Sequence, residues 1–69
     1  MLLSNWRKDS KTLELHYEEF HHKDDDGHPY TDCKWECKIS DGRTIPFLSE
    51  SIATMYITQN MWALVLDKN

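Results

Sequence analysis

Tyr30-Thr31-Asp32-Cys33-Lys34-Trp35-Glu36-Cys37-Lys38-Ile39-Ser40 is the stretch on which the fold turns. Taken alternately, Thr31, Cys33, Trp35, Cys37 and Ile39 share one face, and Tyr30, Asp32, Lys34, Glu36 and Lys38 share the other. That is the period of a half-buried strand. Asp41-Gly42 follows as a turn signal, and Arg43 to Leu48 then offers Ile45 and Phe47 in alternation. A two-residue loop at Asp41-Gly42 would place Ile45 and Phe47 on the charged face. With Ser40, Asp41 and Gly42 as a three-residue loop, Gly42 is left-handed, Cys37 faces Ile45 and Trp35 faces Phe47, so all the apolar groups lie on one side. Pro46 has no backbone N–H, which assigns this second strand to a sheet edge.

Outward from this hairpin, the chain upstream is harder to read. Met1 to Thr12 is expected to be an N-terminal arm, with Leu2, Leu3 and Trp6 packing on the domain. Leu13 to His22 fits a strand with Leu13, Leu15 and Tyr17 inward if Glu18-Glu19 form a bulge that turns Phe20 in. It also fits a helix with Leu13, His16, Tyr17 and Phe20 on one stripe, capped by Ser10. The strand is preferred, because an antiparallel hairpin through the loop Asp24 to Pro29 would cover the free edge of Tyr30–Ser40.

Downstream, the period lengthens after Phe47. Ser49 can cap a helix of about ten residues, with Glu50 in its first turn and Ile52, Met55 and Tyr56 as the inward stripe. Asn60 is expected as a left-handed exit. Met61 to Leu66 is continuously apolar and reads as a strand covered on both faces, and Asp67, Lys68 and Asn69 as a solvated end. The expectation is a single α+β domain: an antiparallel sheet of three or four strands with one short helix before the last strand.

A chain of 69 residues buries only about 60% of its unfolded surface, which leaves little room for an enzyme-like cleft and makes a homodimer a natural supplement to a thin core. Met1-Leu2-Leu3 gives way at once to Ser4, Asn5, Trp6 and Arg7, so no signal peptide or membrane span is visible and a cytoplasmic location is expected. Cys33 and Cys37 lie about 13 Å apart along a strand at about 3.3 Å per residue, beyond the roughly 7 Å reach of a disulfide. Both are expected as free thiols packed like small apolar groups. The formal charge of -4 is unevenly spread: Leu13 to Gly27 carries Glu14, Glu18, Glu19, Asp24, Asp25 and Asp26 against Lys23 alone. Such a surface repels nucleic acid and attracts basic proteins that handle it.

Chemistry is sparse. His21, His22, Asp24, Asp25, Asp26 and His28 form the one cluster with metal-ligand character. It lacks the paired spacing of a zinc site, and an EF-hand built on Gly27 would put His22 and Cys33 at its first and twelfth positions. No metal or cofactor is expected. With no nucleophile elbow and no phosphate loop, and with Glu18 and Glu19 on opposite strand faces, catalysis is not expected either.

The run Asp24-Asp25-Asp26-Gly27 with Tyr30 three residues on, then Leu48-Ser49-Glu50, Tyr56 and Leu66-Asp67-Lys68, resembles the small dimeric phage proteins that inhibit uracil-DNA glycosylase. The resemblance implies an acidic sheet that imitates DNA and an apolar pocket at the dimer seam, with Asp32 and Tyr56 at the matching positions. Ile52 and Ala53 stand where that family carries an aromatic-acidic pair. The function expected is a non-enzymatic inhibitor, phage-encoded and acting in host takeover, whose partner is a nucleic-acid-handling protein such as a DNA repair or defence enzyme. The residues expected to carry it are Glu14, Glu18, Asp24, Asp25, Asp26, Tyr30, Asp32, Glu36 and Tyr56. Ile39-Ser40-Asp41-Gly42-Arg43 and Met61 to Leu66 look, alternatively, like parts of an Sm-like barrel, which implies a small regulatory domain binding RNA, a metal or a protein partner.

Overall fold

The computed structural model describes residues 1–66; Asp67, Lys68 and Asn69, expected as a solvated end, lie outside the described residues. Five strands and one helix follow in the order β1 (Leu2–Lys8), β2 (Lys11–Lys23), β3 (Pro29–Ile39), β4 (Thr44–Phe47), α1 (Glu50–Gln59) and β5 (Ala63–Val65). They form one antiparallel sheet with spatial order β4-β3-β2-β1-β5. Among the described residues it is open, with edges at β4 and β5, and does not close into a barrel.

The decisive hairpin folds as its residues require. Trp35 faces Phe47 and Cys37 faces Ile45, Gly42 takes φ 101°, and the Ile39 amide donates to Arg43 O at 2.9 Å across the loop. Asp41 locks the turn by accepting from the Arg43 backbone N–H at 3.1 Å and from its Nε at 2.8 Å. Those bonds, the backbone amide first, hold the Asp41 carboxyl below its usual range. Pro46 lies on the edge strand β4, where its missing donor breaks no ladder.

The expected arm is instead a fifth strand. Ser4 pairs with Leu15 and Trp6 with Leu13, and the register slips near Leu3 between Leu2 and Ser4. That slip hides the alternation of β1 from a reading of sequence alone. Trp6 turns inward with Leu13, Leu15, Cys37 and Ile39, and Ala53, Ile57 and Trp62 close over them to complete the core. These eight are the buried side chains among the described residues, and Ile45, Phe47 and Tyr56 pack at their margin.

The helix begins as expected, with the Ser49 hydroxyl accepting from Ile52 N–H at 3.2 Å. Its inward stripe is shifted. Ala53 and Ile57 are buried, whereas Ile52 and Met55 are about half exposed, because the helix docks through its smallest residue close to the sheet. The exit is also displaced by one position. Asn60 keeps φ -93° and Met61 takes the left-handed turn at φ 66°. Trp62 N–H then reaches Ile57 O at 3.2 Å and Met61 N–H reaches Thr58 O at 3.1 Å, the double closure of a Schellman motif. The last strand is correspondingly short. Met61 to Leu66 contributes one buried side chain, Trp62, and three residues of edge strand, not a strand covered on both faces.

Candidate functional site: an acidic two-stranded arm

β2 and β3 are long because alternation persists well past the core. Eleven consecutive pairs run from Leu13 opposite Ile39 to Lys23 opposite Pro29, without the bulge expected at Glu18-Glu19. Their neighbours stop early. β4 ends at Phe47 beside Trp35, and β1 pairs with β2 only as far as Leu2 beside His16; the Met1 ammonium donates to Tyr17 O at 2.7 Å. The Tyr17 and Trp35 rings, 5.0 Å apart, cap the core at that level. Beyond them β2 and β3 continue as a free two-stranded ribbon. Glu19 to Lys34 are all exposed, and the ribbon stretches the molecule to 50 × 27 × 21 Å.

The ribbon tip is ordered by Asp24. Its Oδ1 accepts from Asp26 N at 3.0 Å and His28 N at 2.7 Å, and its backbone N–H donates to His28 O at 3.0 Å. Gly27 supplies the positive φ of 82° that the reversal needs. Asp24, Asp26 and His28 bring one ligand atom each within 4.8 Å of one another. All three are exposed and one Asp24 oxygen is already engaged by two amides, so the cluster orders the tip.

Along the ribbon, regular alternation puts Glu18, Phe20, His22, Tyr30, Asp32 and Lys34 on the face away from the helix, and Glu19, His21, Thr31 and Cys33 on the other. On the first face the His22 and Tyr30 rings stack at 5.1 Å, and Phe20 sits opposite Asp32. Phe20 is 42% and Tyr30 48% exposed. His22 Nε2 lies 3.3 Å from Asp32 Oδ2. On the second face the Tyr17 hydroxyl donates to Glu19 and lies 3.3 Å from Cys33 Sγ. Those contacts, with Cys33 first, hold the phenol well above its ordinary value of 10.0. Cys33 is exposed on the ribbon and not packed as expected, since no element covers the sheet there; Cys37 is buried, and burial pushes its thiol up to about 11.

The expected site residues therefore divide. Glu18, Asp24, Asp25, Asp26, Tyr30 and Asp32 come together on the arm. Glu14 and Glu36 share its outward face but sit over the core, Glu14 opposite Lys38 and Glu36 opposite His16 and 3.3 Å from the Lys34 ammonium. Tyr56 belongs to the other side of the sheet, its ring 5.3 Å from Phe47 at the core margin, and does not join the acidic face. Phe20 and His22 were missed as surface groups, although uninterrupted period-two alternation from Leu13 places both on the Tyr30 face. No family model, characterised protein or solved structure matches the chain.

Charge follows the same division. Residues 18–34 hold Glu18, Glu19, Asp24, Asp25, Asp26 and Asp32 against Lys23 and Lys34, a net of -4 that equals the formal charge of the whole chain; the remainder balances at six of each sign. A projecting, rigidly paired ribbon with concentrated negative charge and two half-exposed aromatic rings can steer and grip a basic surface. Its carboxylates are spread along an open strand pair and not gathered in a cleft, which suits docking better than proton transfer.

Proposed function

We propose that this chain is a non-enzymatic inhibitor, of the kind phages encode, that presents its acidic β2–β3 arm to the nucleic-acid-binding surface of a protein and competes there with DNA. The reading is supported above all by the segregation of charge: the entire net -4 lies on residues 18–34, which put no side chain into the core. An element that builds no core and concentrates like charge costs stability, so its place in the chain calls for a partner. The aromatic pair Phe20 and Tyr30 gives that partner an apolar anchor, and the carboxylates around it set the approach. Relative to the expectation from sequence, the docking surface narrows to the arm, without Glu14, Glu36 and Tyr56.

The test is capture from bacterial lysate on the tagged chain, elution with duplex DNA and mass spectrometry of the eluate. The expected outcome is one DNA-binding enzyme, released by DNA and by raising salt. Asp24→Asn with Asp25→Asn, Asp26→Asn and Asp32→Asn should abolish capture while leaving the thermal transition in place. Capture indifferent to DNA and to all four substitutions would overturn the reading.

A further inference from the structure

One carboxylate of the arm is framed by rings. On the face away from the helix three cross-strand pairs follow one another: Glu18 opposite Lys34, Phe20 opposite Asp32 and His22 opposite Tyr30. Asp32 therefore has the Phe20 ring directly across from it, where Cβ atoms stand about 4.5–5.5 Å apart. One step toward the tip, about 7 Å along the strand, it has the His22 and Tyr30 rings, stacked at 5.1 Å. All four side chains are exposed.

The charge of Asp32 is also the least answered in this frame. Lys34, two residues along the same strand, lies 3.3 Å from Glu36 instead, and no lysine or arginine among the described residues forms an ion pair with Asp32. Its one charged neighbour is His22, whose Nε2 stands 3.3 Å from Oδ2. That contact fixes the carboxylate beside the rings and leaves Oδ1 without a partner among the described residues. Asp24, by contrast, spends its Oδ1 on two amides of the tip.

We infer that Asp32, Phe20 and the His22–Tyr30 stack form a subsite for one arginine side chain of the partner, an inference that rests on the docking of the arm proposed above and names the group that docks. The carboxylate selects a cation, since an apolar side chain seated there would strip water from Asp32 and return no hydrogen bond. The rings select arginine over lysine: a guanidinium is planar and weakly hydrated and lies flat on an aromatic face, whereas an ammonium is a compact, strongly hydrated point charge. The guanidinium fork that matches a phosphate also matches a carboxylate. An arginine that holds nucleic acid on the partner is thus the group that this carboxylate can take over.

The probe is acetyl-Gly-Arg-Gly-amide, titrated at neutral pH into the isotopically labelled full-length chain alongside its lysine and citrulline counterparts, with backbone amide shifts as the readout. The arginine peptide should move the amides of residues 20, 22, 30 and 32, the lysine peptide should bind about 2–5-fold more weakly, as loss of an exposed cation–π contact implies, and the uncharged citrulline peptide should move none of them. Phe20→Ala with Tyr30→Ala should erase the preference for arginine over lysine, and Asp32→Asn should abolish binding of both. Glu14→Gln, over the core and opposite Lys38, should leave the titration unchanged. Equal binding of the arginine and lysine peptides by the unmodified chain overturns the inference without recourse to any variant, as does a preference that survives loss of both rings. The peptide titration is independent of lysate capture: failure of the subsite with DNA-competed capture intact leaves the wider reading of the arm standing, and arginine-selective binding without such capture supports the subsite alone.

Discussion

Removing the acidic arm should leave the fold standing. The perturbation is deletion of residues 19–33, with Glu18 and Lys34, which already face one another, rejoined through a short Asn-Gly loop. None of the eight buried side chains lies in that segment. What is lost is a set of exposed cross-strand pairs, each worth about 0.2–1 kcal/mol, and one stacked ring pair of about 0.5–1.5 kcal/mol. What is recovered is the entropy of ordering the ribbon, which an isolated two-stranded hairpin barely offsets. The two nearly cancel, so the net change should stay within about 1 kcal/mol, or about 4–8 °C in Tm for a domain of this size. Ile57→Ala is the comparison. Ile57 is fully buried against the sheet, and its truncation should cost about 2–5 kcal/mol, a large share of the total stability of a chain this small. Thermal unfolding followed by circular dichroism, at matched concentration and salt, ranks the two. An arm-deleted chain that is less stable than Ile57→Ala, or that fails to unfold cooperatively, would refute the claim that the ribbon is an appendage.

Three further outcomes follow from the geometry. Iodoacetamide should modify Cys33 rapidly and Cys37 only on unfolding, as read by intact mass, since one thiol is exposed and the other buried. Because burial raises the Cys37 thiol from 9.0 to about 11, the unfolded chain releases its proton first as pH climbs; the stability from keeping that thiol neutral is complete below pH 9 and lost on rising through that window. Urea titrations from pH 8 to 11 should therefore fall more steeply for the parent than for Cys37→Ala. Met61→Gly should stabilise the chain by about 0.5–1 kcal/mol, as equilibrium unfolding would read it, because a left-handed residue other than glycine carries a steric cost and Met61 is exposed.

Much of this architecture is legible in the residues themselves. The register of the β3–β4 hairpin follows from keeping Cys37, Ile45, Trp35 and Phe47 on one face, and Pro46 and Ser49 announce an edge and a helix start through backbone chemistry that no tertiary context changes. The misreadings occur where context decides. The slip between Leu2 and Ser4 hides β1, and the close approach of Ala53 to the sheet rotates the helix away from its bulkier stripe. The candidate site was half visible for the same reason. Composition reveals the acidic run, but only the pairing of Glu14 with Lys38, and the Lys34 ammonium 3.3 Å from Glu36, reveals which carboxylates over the core have a cation beside them. Only the early end of pairing by β4 and β1 reveals that the rest stand on an arm.

Both edges of the sheet are short, and that limits how far association can go. A sheet open on both sides can add copies without end and become a filament, as strand templates do in amyloid. Here β4 is four residues long with Pro46 among them and β5 is three residues long, so both sides offer a further strand little to pair with. Pro46 thus guards one edge against the addition of a further strand, and its replacement by a β-branched residue would make that edge more receptive.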